Sequence, residues 1–221
     1  MITVLVVDDQ VLIRAGLAAL ISAAPGLEVV GQAANGQEAV ALAATTHPDV
    51  ILMDIRMPGL DGVRATERIL AASGTPPRIL ILTTFDLDEY VYAALRGGAS
   101  GFLLKETTPQ RLLAAIQTVA EGDLLFAPTV TRRLIEAYTR SDRNPAWSPP
   151  DLSPLTAREL EVLRLVARGM TNGEIADNLI LSEATVKTHI NRTMTKLNLC
   201  SRAQAVVAAY EAGLVIPRSS A

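Results

Sequence analysis

Six polar side chains stand at or just beyond the ends of short apolar runs in the first half of the chain. Asp8 and Asp9 follow Ile2–Val7, Asp54 follows Val50–Met53, Thr83 and Thr84 follow Arg78–Leu82, and Lys105 follows Phe102–Leu104. Three carboxylates brought together repel one another, and they raise their pKa values or demand a cation. A hard divalent ion with oxygen ligands answers that demand, and Mg2+ typically takes one or two carboxylates with water and phosphate oxygens. Lys105 adds a mobile point charge suited to a phosphoryl oxygen, and the Thr83 hydroxyl can donate to the same group. The chemistry these types support is phosphoryl transfer onto a carboxylate. Asp54 is the best acceptor because it stands alone among apolar residues, and Asp8 and Asp9 are better placed as ligands of Mg2+. No glycine-rich phosphate loop accompanies them. Singly, each has a plainer reading: Asp9 as a helix cap, Thr83 in a turn, Lys105 as a solvated loop lysine. Their recurrence at successive strand ends argues for a pocket.

That pocket requires the runs to be parallel strands. Ile2–Val7 and Val50–Met53 are continuous apolar runs suited to strands buried on both faces. Leu27–Ala33, Arg78–Leu82 and Phe102–Leu104 are further strands. Helices are expected over Val11–Ile21, Gly36–Thr45, Val63–Ala72 and Asp88–Leu95, and from Thr108-Pro109, an N-cap with proline at the first helical position, to about Ala120. Met57-Pro58-Gly59-Leu60-Asp61-Gly62 is a dense turn signal. Strands alternating with helices over about 120 residues predict an α/β domain of the flavodoxin-like, doubly wound, five-stranded parallel class, whose ligand site lies beyond the carboxyl ends of the strands.

Composition bounds the possibilities. Apolar residues at 49% with 19% charged residues describe a folded chain, and 4% aromatic residues leave no platform for stacking bases. Cys200 is the single cysteine, and His47 and His189 are far apart, so neither an internal disulfide nor a Cys/His metal cluster is expected. The first apolar run is short and lacks a basic lead, and no run nears the roughly 20 apolar residues of a membrane span, so no membrane insertion and a cytoplasmic location are expected. Residues 1–125 carry 8 basic and 14 acidic side chains and residues 126–221 carry 12 and 9, so an acidic half adjoins a mildly basic one.

After Gly122 the pattern changes. Pro128–Thr139 can form one amphipathic helix, and Arg140–Pro154, with the single Trp147, reads as a linker. The expected division is 1–122, a linker over 123–153 that is partly helical, and a four-helix domain over 154–217. Three of its helices open on Ser/Thr followed three residues later by Glu/Gln: Thr156…Glu159, Thr171…Glu174 and Ser201…Gln204, each read as a capping box. Thr171–Leu179, a tight turn, and a helix over Glu183–Leu197 follow helix-turn-helix spacing, with Ile175, Ala176, Leu179, Val186 and Ile190 packing inward. The outward positions of the second helix are Ala184, Lys187, Thr188 and Asn191. Lys187 suits guanine, Asn191 adenine, and Thr188 a hydroxyl or methyl contact, while Thr185, His189, Arg192 and Lys196 suit phosphate. Spacing alone leaves a plain four-helix interaction domain equally open.

The segments VVDDQ (Val6–Gln10), LMDIRMPGLDG (Leu52–Gly62), ILTT (Ile81–Thr84) and GASGFLLK (Gly98–Lys105) resemble the receiver domains of two-component systems. The resemblance implies that Asp54 is the phospho-acceptor. It implies that Mg2+ is bound by Asp8, Asp9, Asp54 and the backbone carbonyl of Arg56, that Thr83 is the switch hydroxyl, and that Lys105 is the counter-charge. Thr84 adjoins that switch, and Phe102 stands at the aromatic switch position without a tyrosine hydroxyl. Glu106 stands where many receivers have proline, which weakens any expectation of a cis peptide. Leu155–Leu197 with Ser201–Tyr210 is similar to the LuxR-type four-helix domain, and both together resemble the NarL/FixJ class of response regulators. That class implies a cognate sensor histidine kinase, double-stranded promoter DNA and a homodimer on activation paired through the last helix. Cys200-Ser201 departs from the Arg-Asp often found there. Two other readings carry distinguishing marks. A Mg2+-dependent aspartyl phosphotransferase or phosphatase would turn over a small substrate, yet Arg56 stands where its second acid belongs, so the chain is not expected to be an enzyme. A phosphorylation-independent regulator would keep its activity with Asn at position 54.

Overall fold

A computed structural model describes residues 1–72, 76–83, 93–121 and 150–215. The chain divides into two compact units, Met1–Leu125 and Phe126–Ala221. The first contains β1 (Ile2–Val7), α1 (Val11–Ser22), β2 (Leu27–Ala33), α2 (Gly36–Thr46), β3 (Val50–Asp54), α3 (Gly62–Ala72), β4 (Arg78–Thr83), β5 (Gly101–Leu104) and α4 (Pro109–Ala120). The five strands form one parallel sheet in the order β2-β1-β3-β4-β5. This is the flavodoxin-like arrangement expected from the alternation. The start of the helix expected over Asp88–Leu95 lies outside the described residues; 93–96 are helical.

Side-chain alternation puts the sheet between two helical layers. Val4, Val6, Leu52, Leu80 and Leu82 pack with Ile21 of α1 and Leu112, Ile116 and Val119 of α4. The intervening Leu5 points to the other face, toward Gly31 and Leu42 on the α2 side. β3 is buried at every position because both faces are covered, as its continuous apolar run required. Strand order reverses between β1 and β3, so the crevice above their carboxyl ends is the switch point of the sheet. Thr108 caps α4 by accepting from Arg111 N, with proline at the first turn as read. Asp9 does not cap α1: Gln10 holds that position, and the Gln10 amide is taken by Asp8 Oδ1 at 2.9 Å.

The second unit contains α5 (Ala157–Ala167), α6 (Asn172–Leu179), α7 (Glu183–Lys196) and α8 (Arg202–Glu211). Its core joins Val162, Leu163 and Val166 of α5, Ile175 and Ala176 of α6, Val186 and Ile190 of α7, and Val206 and Ala209 of α8. The boxes at Thr156/Glu159 and Thr171/Glu174 are closed in both directions. The third is corrected. Ser201 accepts from Gln204 N, but Gln204 Oε1 takes the amide of Cys200, one residue before the cap, at 2.6 Å. The Gln204 side chain thus meets the amide just outside the helix.

All four helices stop by one device. A left-handed residue follows each: Gly169, Ile180, Asn198 and Gly213. The next amide then bonds back five residues, Met170 N to Leu165 O at 3.3 Å, Leu181 N to Ala176 O at 2.9 Å, Leu199 N to Met194 O at 2.8 Å and Leu214 N to Ala209 O at 2.9 Å. Those four residues are apolar and pack against the core, which is the hydrophobic half of the Schellman motif. Arg202 is buried, and its guanidinium donates to Asn172 Oδ1 and to the carbonyl of Met170, fastening α8 to the entrance of α6.

Candidate functional site

Asp8 follows β1, Asp54 ends β3, Thr83 ends β4 and Lys105 follows β5. The register Asp54↔Leu82 and Thr83↔Leu104, with Lys105 N donating to Thr83 O at 2.8 Å, brings these ends level. Oxygens of Asp8, Asp9 and Asp54 lie within 4.8 Å of one another. Asp8 and Asp54 are buried and Asp9 is exposed. Lys105 Nζ lies 2.7 Å from Asp8 Oδ2 and 2.8 Å from Asp54 Oδ2. Two buried carboxylates therefore share one ammonium.

The electrostatics follow from that count. Burial raises the Asp54 pKa above the ordinary carboxylate value; Lys105 and the Arg56 amide oppose the rise, and Asp8 reinforces it. Burial opposes the charge on Lys105, but the hydrogen-bonded Asp54 carboxylate and the adjacent Asp8 carboxylate outweigh it, and its pKa is raised. Both directions agree with two negative charges around one positive charge.

A divalent cation fits the donor set. Asp8 Oδ2 is buried and takes no well-aligned hydrogen bond, although the Lys105 ammonium is near. An oxygen so placed has lone pairs to give, and exposed Asp9 adds another carboxylate on the same rim.

The turn after β3 holds Asp54 by close backbone approach. Gly62 N donates to Ile55 O at 2.9 Å, and a Cβ at Gly62 would stand 2.0 Å from the Asp54 carbonyl oxygen. Gly36 N donates to Leu60 O at 3.2 Å in the same turn. The sequence marks this segment as a turn and as part of the receiver resemblance but does not show this close approach; its second glycine, eight residues after Asp54, was the available signal. Thr83 and Phe102 are both buried, and the Lys105–Glu106 peptide is trans. Thr84, Trp147 and the Pro128–Thr139 segment lie outside the described residues.

On α7, Val186 and Ile190 are buried, while Ala184, Lys187, Thr188, Asn191 and Arg192 are exposed. A shallow surface depression is lined by Thr188, Asn191, Arg192, Thr195 and Lys196. Thr195 was missed, although it lies four residues past Asn191 on the same face. Thr185 is drawn into the cap with Ser182 at 2.8 Å. His189 turns Nδ1 inward, without a hydrogen-bond partner among the described residues. Lys196 Nζ donates to Glu159 Oε2 at 2.6 Å, so its charge is matched inside the unit.

That oxygen also accepts from Thr156 N at 2.8 Å and Thr156 Oγ1 at 3.0 Å. Lys196 and then Thr156 pull the Glu159 pKa from 4.5 to about 2. An acid with a depressed pKa stabilises the fold above its unfolded value and loses that contribution as pH falls through the folded one. The stability gap between the full chain and Glu159→Gln is therefore expected to be full above pH 4.5 and to shrink toward pH 2. Urea midpoints across that range check it, and a constant gap would contradict the pairing.

Comparison with known proteins meets this geometry. The family described as "Response regulator receiver domain" matches residues 4–117, and the family "Bacterial regulatory proteins, luxR family" matches residues 153–209. The chain is 44% identical over 214 residues to an uncharacterized transcriptional regulatory protein, YxjL, of Bacillus subtilis, covering 97% of each. It is 37% identical over 205 residues to the nitrate/nitrite response regulator NarL of Escherichia coli K12, covering 93% of each. Among solved structures it is similar to the response regulator ChrA of a heme-sensing two-component system, with a TM-score of 0.53, 34% identity, and coverage of 97% of this chain and 98% of that one.

Proposed function

This chain belongs to the two-component response regulators of the NarL/FixJ class, transcriptional regulators with a receiver domain and a LuxR-type DNA-binding domain, and from that premise we propose that a phosphoryl group on Asp54 governs how α7 engages promoter DNA. The observation that carries the reading is the buried Asp54 carboxylate at the end of the central strand, facing both Asp8 and Lys105. We assign 1–122 to the receiver, 123–153 to the linker and 154–217 to the DNA-binding domain.

An Asp54 oxygen forms a bond to phosphorus as the donor's own bond breaks, and the leaving group keeps the electron pair. Asp8, Asp9, Asp54 and the Arg56 carbonyl would hold Mg2+, which when bound neutralises the acceptor and the transferring group. The receiver's own residues then respond. Lys105 transfers its hydrogen bond from the Asp54 carboxylate to a phosphoryl oxygen, and the Thr83 hydroxyl, next to Thr84, donates to another. Phe102 packs into the space behind Thr83, so coupling is by packing alone. The conformational equilibrium shifts toward a state that binds DNA as a homodimer through α8. A cognate sensor histidine kinase is the natural donor. Lys187, Thr188 and Asn191 read base edges; Thr185, His189, Arg192 and Lys196 lie along the phosphates. The transfer occurs once on the protein itself, so the chain is a regulator and not an enzyme. It acts in the cytoplasm, and no helix among the described residues is long and apolar enough to cross a membrane.

Acetyl phosphate with Mg2+ is expected to add one phosphoryl group, mapped to Asp54 by mass spectrometry, and to tighten binding to promoter duplex at fixed salt. A fully phosphorylated chain with unchanged oligomeric state in solution and unchanged DNA affinity would reject the switch.

A further inference from the structure

Three of the four helix ends in the DNA-binding unit place glycine or asparagine at the left-handed position: Gly169, Asn198 and Gly213. Those residues enter that region at little cost. The fourth end, at the turn of the helix-turn-helix, uses Ile180 with φ 55°. A β-branched side chain is a genuine outlier there. Packing does not repay it: Ile180 is 92% exposed, while its neighbours Leu179 and Leu181 are the ones that pack on the core. Among the described residues of this unit, Ile180 is the one exposed large hydrophobic side chain. A single exposed apolar side chain is ordinary, but one held at a backbone cost with no return from the core is the kind of outlier that clusters at functional sites.

Its position identifies the partner. Ile180 stands two residues before Ser182, the N-cap of α7, and the N-terminal part of that helix is the part that enters the major groove. We propose that Ile180 is a DNA-contacting residue, laying its aliphatic surface on an apolar edge of the duplex, a thymine methyl or a deoxyribose, beside the approach of α7. The inference rests on the reading that α7 is the recognition helix, and it adds a contact from the turn to those on the helix face.

The test uses the full-length chain, treated with acetyl phosphate and Mg2+, and a duplex enriched from a randomised pool by the unaltered protein. Ile180→Asn and Ile180→Gly both keep the left-handed turn and remove the aliphatic surface. Ile180→Asn is expected to raise the thermal midpoint by about 4 °C. Both variants are expected to lose DNA affinity roughly five- to tenfold, as unburying a few aliphatic carbons requires. The slope of log affinity against log salt stays unchanged, because no phosphate contact is lost. Replacing thymine by uracil separates the sources: a loss that does not add to that of Ile180→Asn assigns the methyl, and an additive one assigns the sugar. Affinity within twofold of the unaltered protein, or a lower thermal midpoint in both variants, overturns the proposal. Lys187→Ala tells the two levels apart. If it weakens binding and the Ile180 variants do not, Ile180 alone is misassigned. If none of them changes affinity, α7 is not the reading helix and the proposal falls with it.

Discussion

Asp54→Asn is expected to end phosphoryl uptake from acetyl phosphate, with intact mass unchanged after treatment and DNA affinity fixed at its untreated value. The amide nitrogen offers no lone pair for attack, and the neighbouring acids do not replace the lost one. Asp8 is fully buried, with one oxygen holding the Gln10 amide and the other beside Lys105. Asp9 is exposed on the rim, without the Lys105 contact that Asp54 makes. The same variant is expected to fold at least as well as the unaltered chain. Burial raises the pKa of Asp54, so its ionised form is a cost to the folded state. For an acid shifted upward that cost is absent below the unfolded pKa, 3.8, and grows as pH rises toward the folded value. With Asn at position 54, Lys105 keeps Asp8 as its partner. Thermal midpoints at pH 7 check this; a large fall would mean that the Asp54–Lys105 pair stabilises the fold. Loss of chemistry with retained stability is the signature of a group kept for function.

Gly62→Ala is expected to do the reverse, disrupting the fold around an intact set of charged residues. The added methyl would meet the Asp54 carbonyl oxygen at 2.0 Å, its carbon at 2.9 Å and Ile55 Cα at 3.0 Å. All three are backbone, so no side chain can swing away. Relief requires the turn to withdraw from β3, breaking the bond from Gly62 N to Ile55 O. Overpacking of this kind costs about 3 kcal/mol. A urea midpoint shift of that size, with phosphoryl uptake falling alongside, is the expected result; a shift near zero would refute the contact. Asp54 is thus held in place partly by a residue that has no side chain.

Much of the site was legible because its information is local. Apolar runs ending in Asp8, Asp54 and Lys105 pointed to both the strands and the edge on which they meet, and the alternation pointed to a parallel sheet. The boxes at Thr156 and Thr171 were readable for the same reason, since they close within four residues. Contacts set by tertiary packing were not readable. The Lys196–Glu159 pair spans 37 residues and joins α7 to the first turn of α5, so a lysine on an outward-reading helix proved to be partnered inside the unit. The sharing of Lys105 between two acids, the closeness of Gly62 to Asp54 and the outward turn of Gln204 likewise depend on how elements meet. Ile180 was hidden for another reason: hydrophobicity predicts burial, and here its two neighbours take the core positions.

Arg202 has a mechanical consequence. Its buried guanidinium grips Asn172 and the Met170 carbonyl, so a torque on α8 passes directly to the start of the helix-turn-helix. Under the pairing through α8 proposed above, the separation of the two reading heads would follow from this clamp, which ties each α8 to the entrance of its own α6.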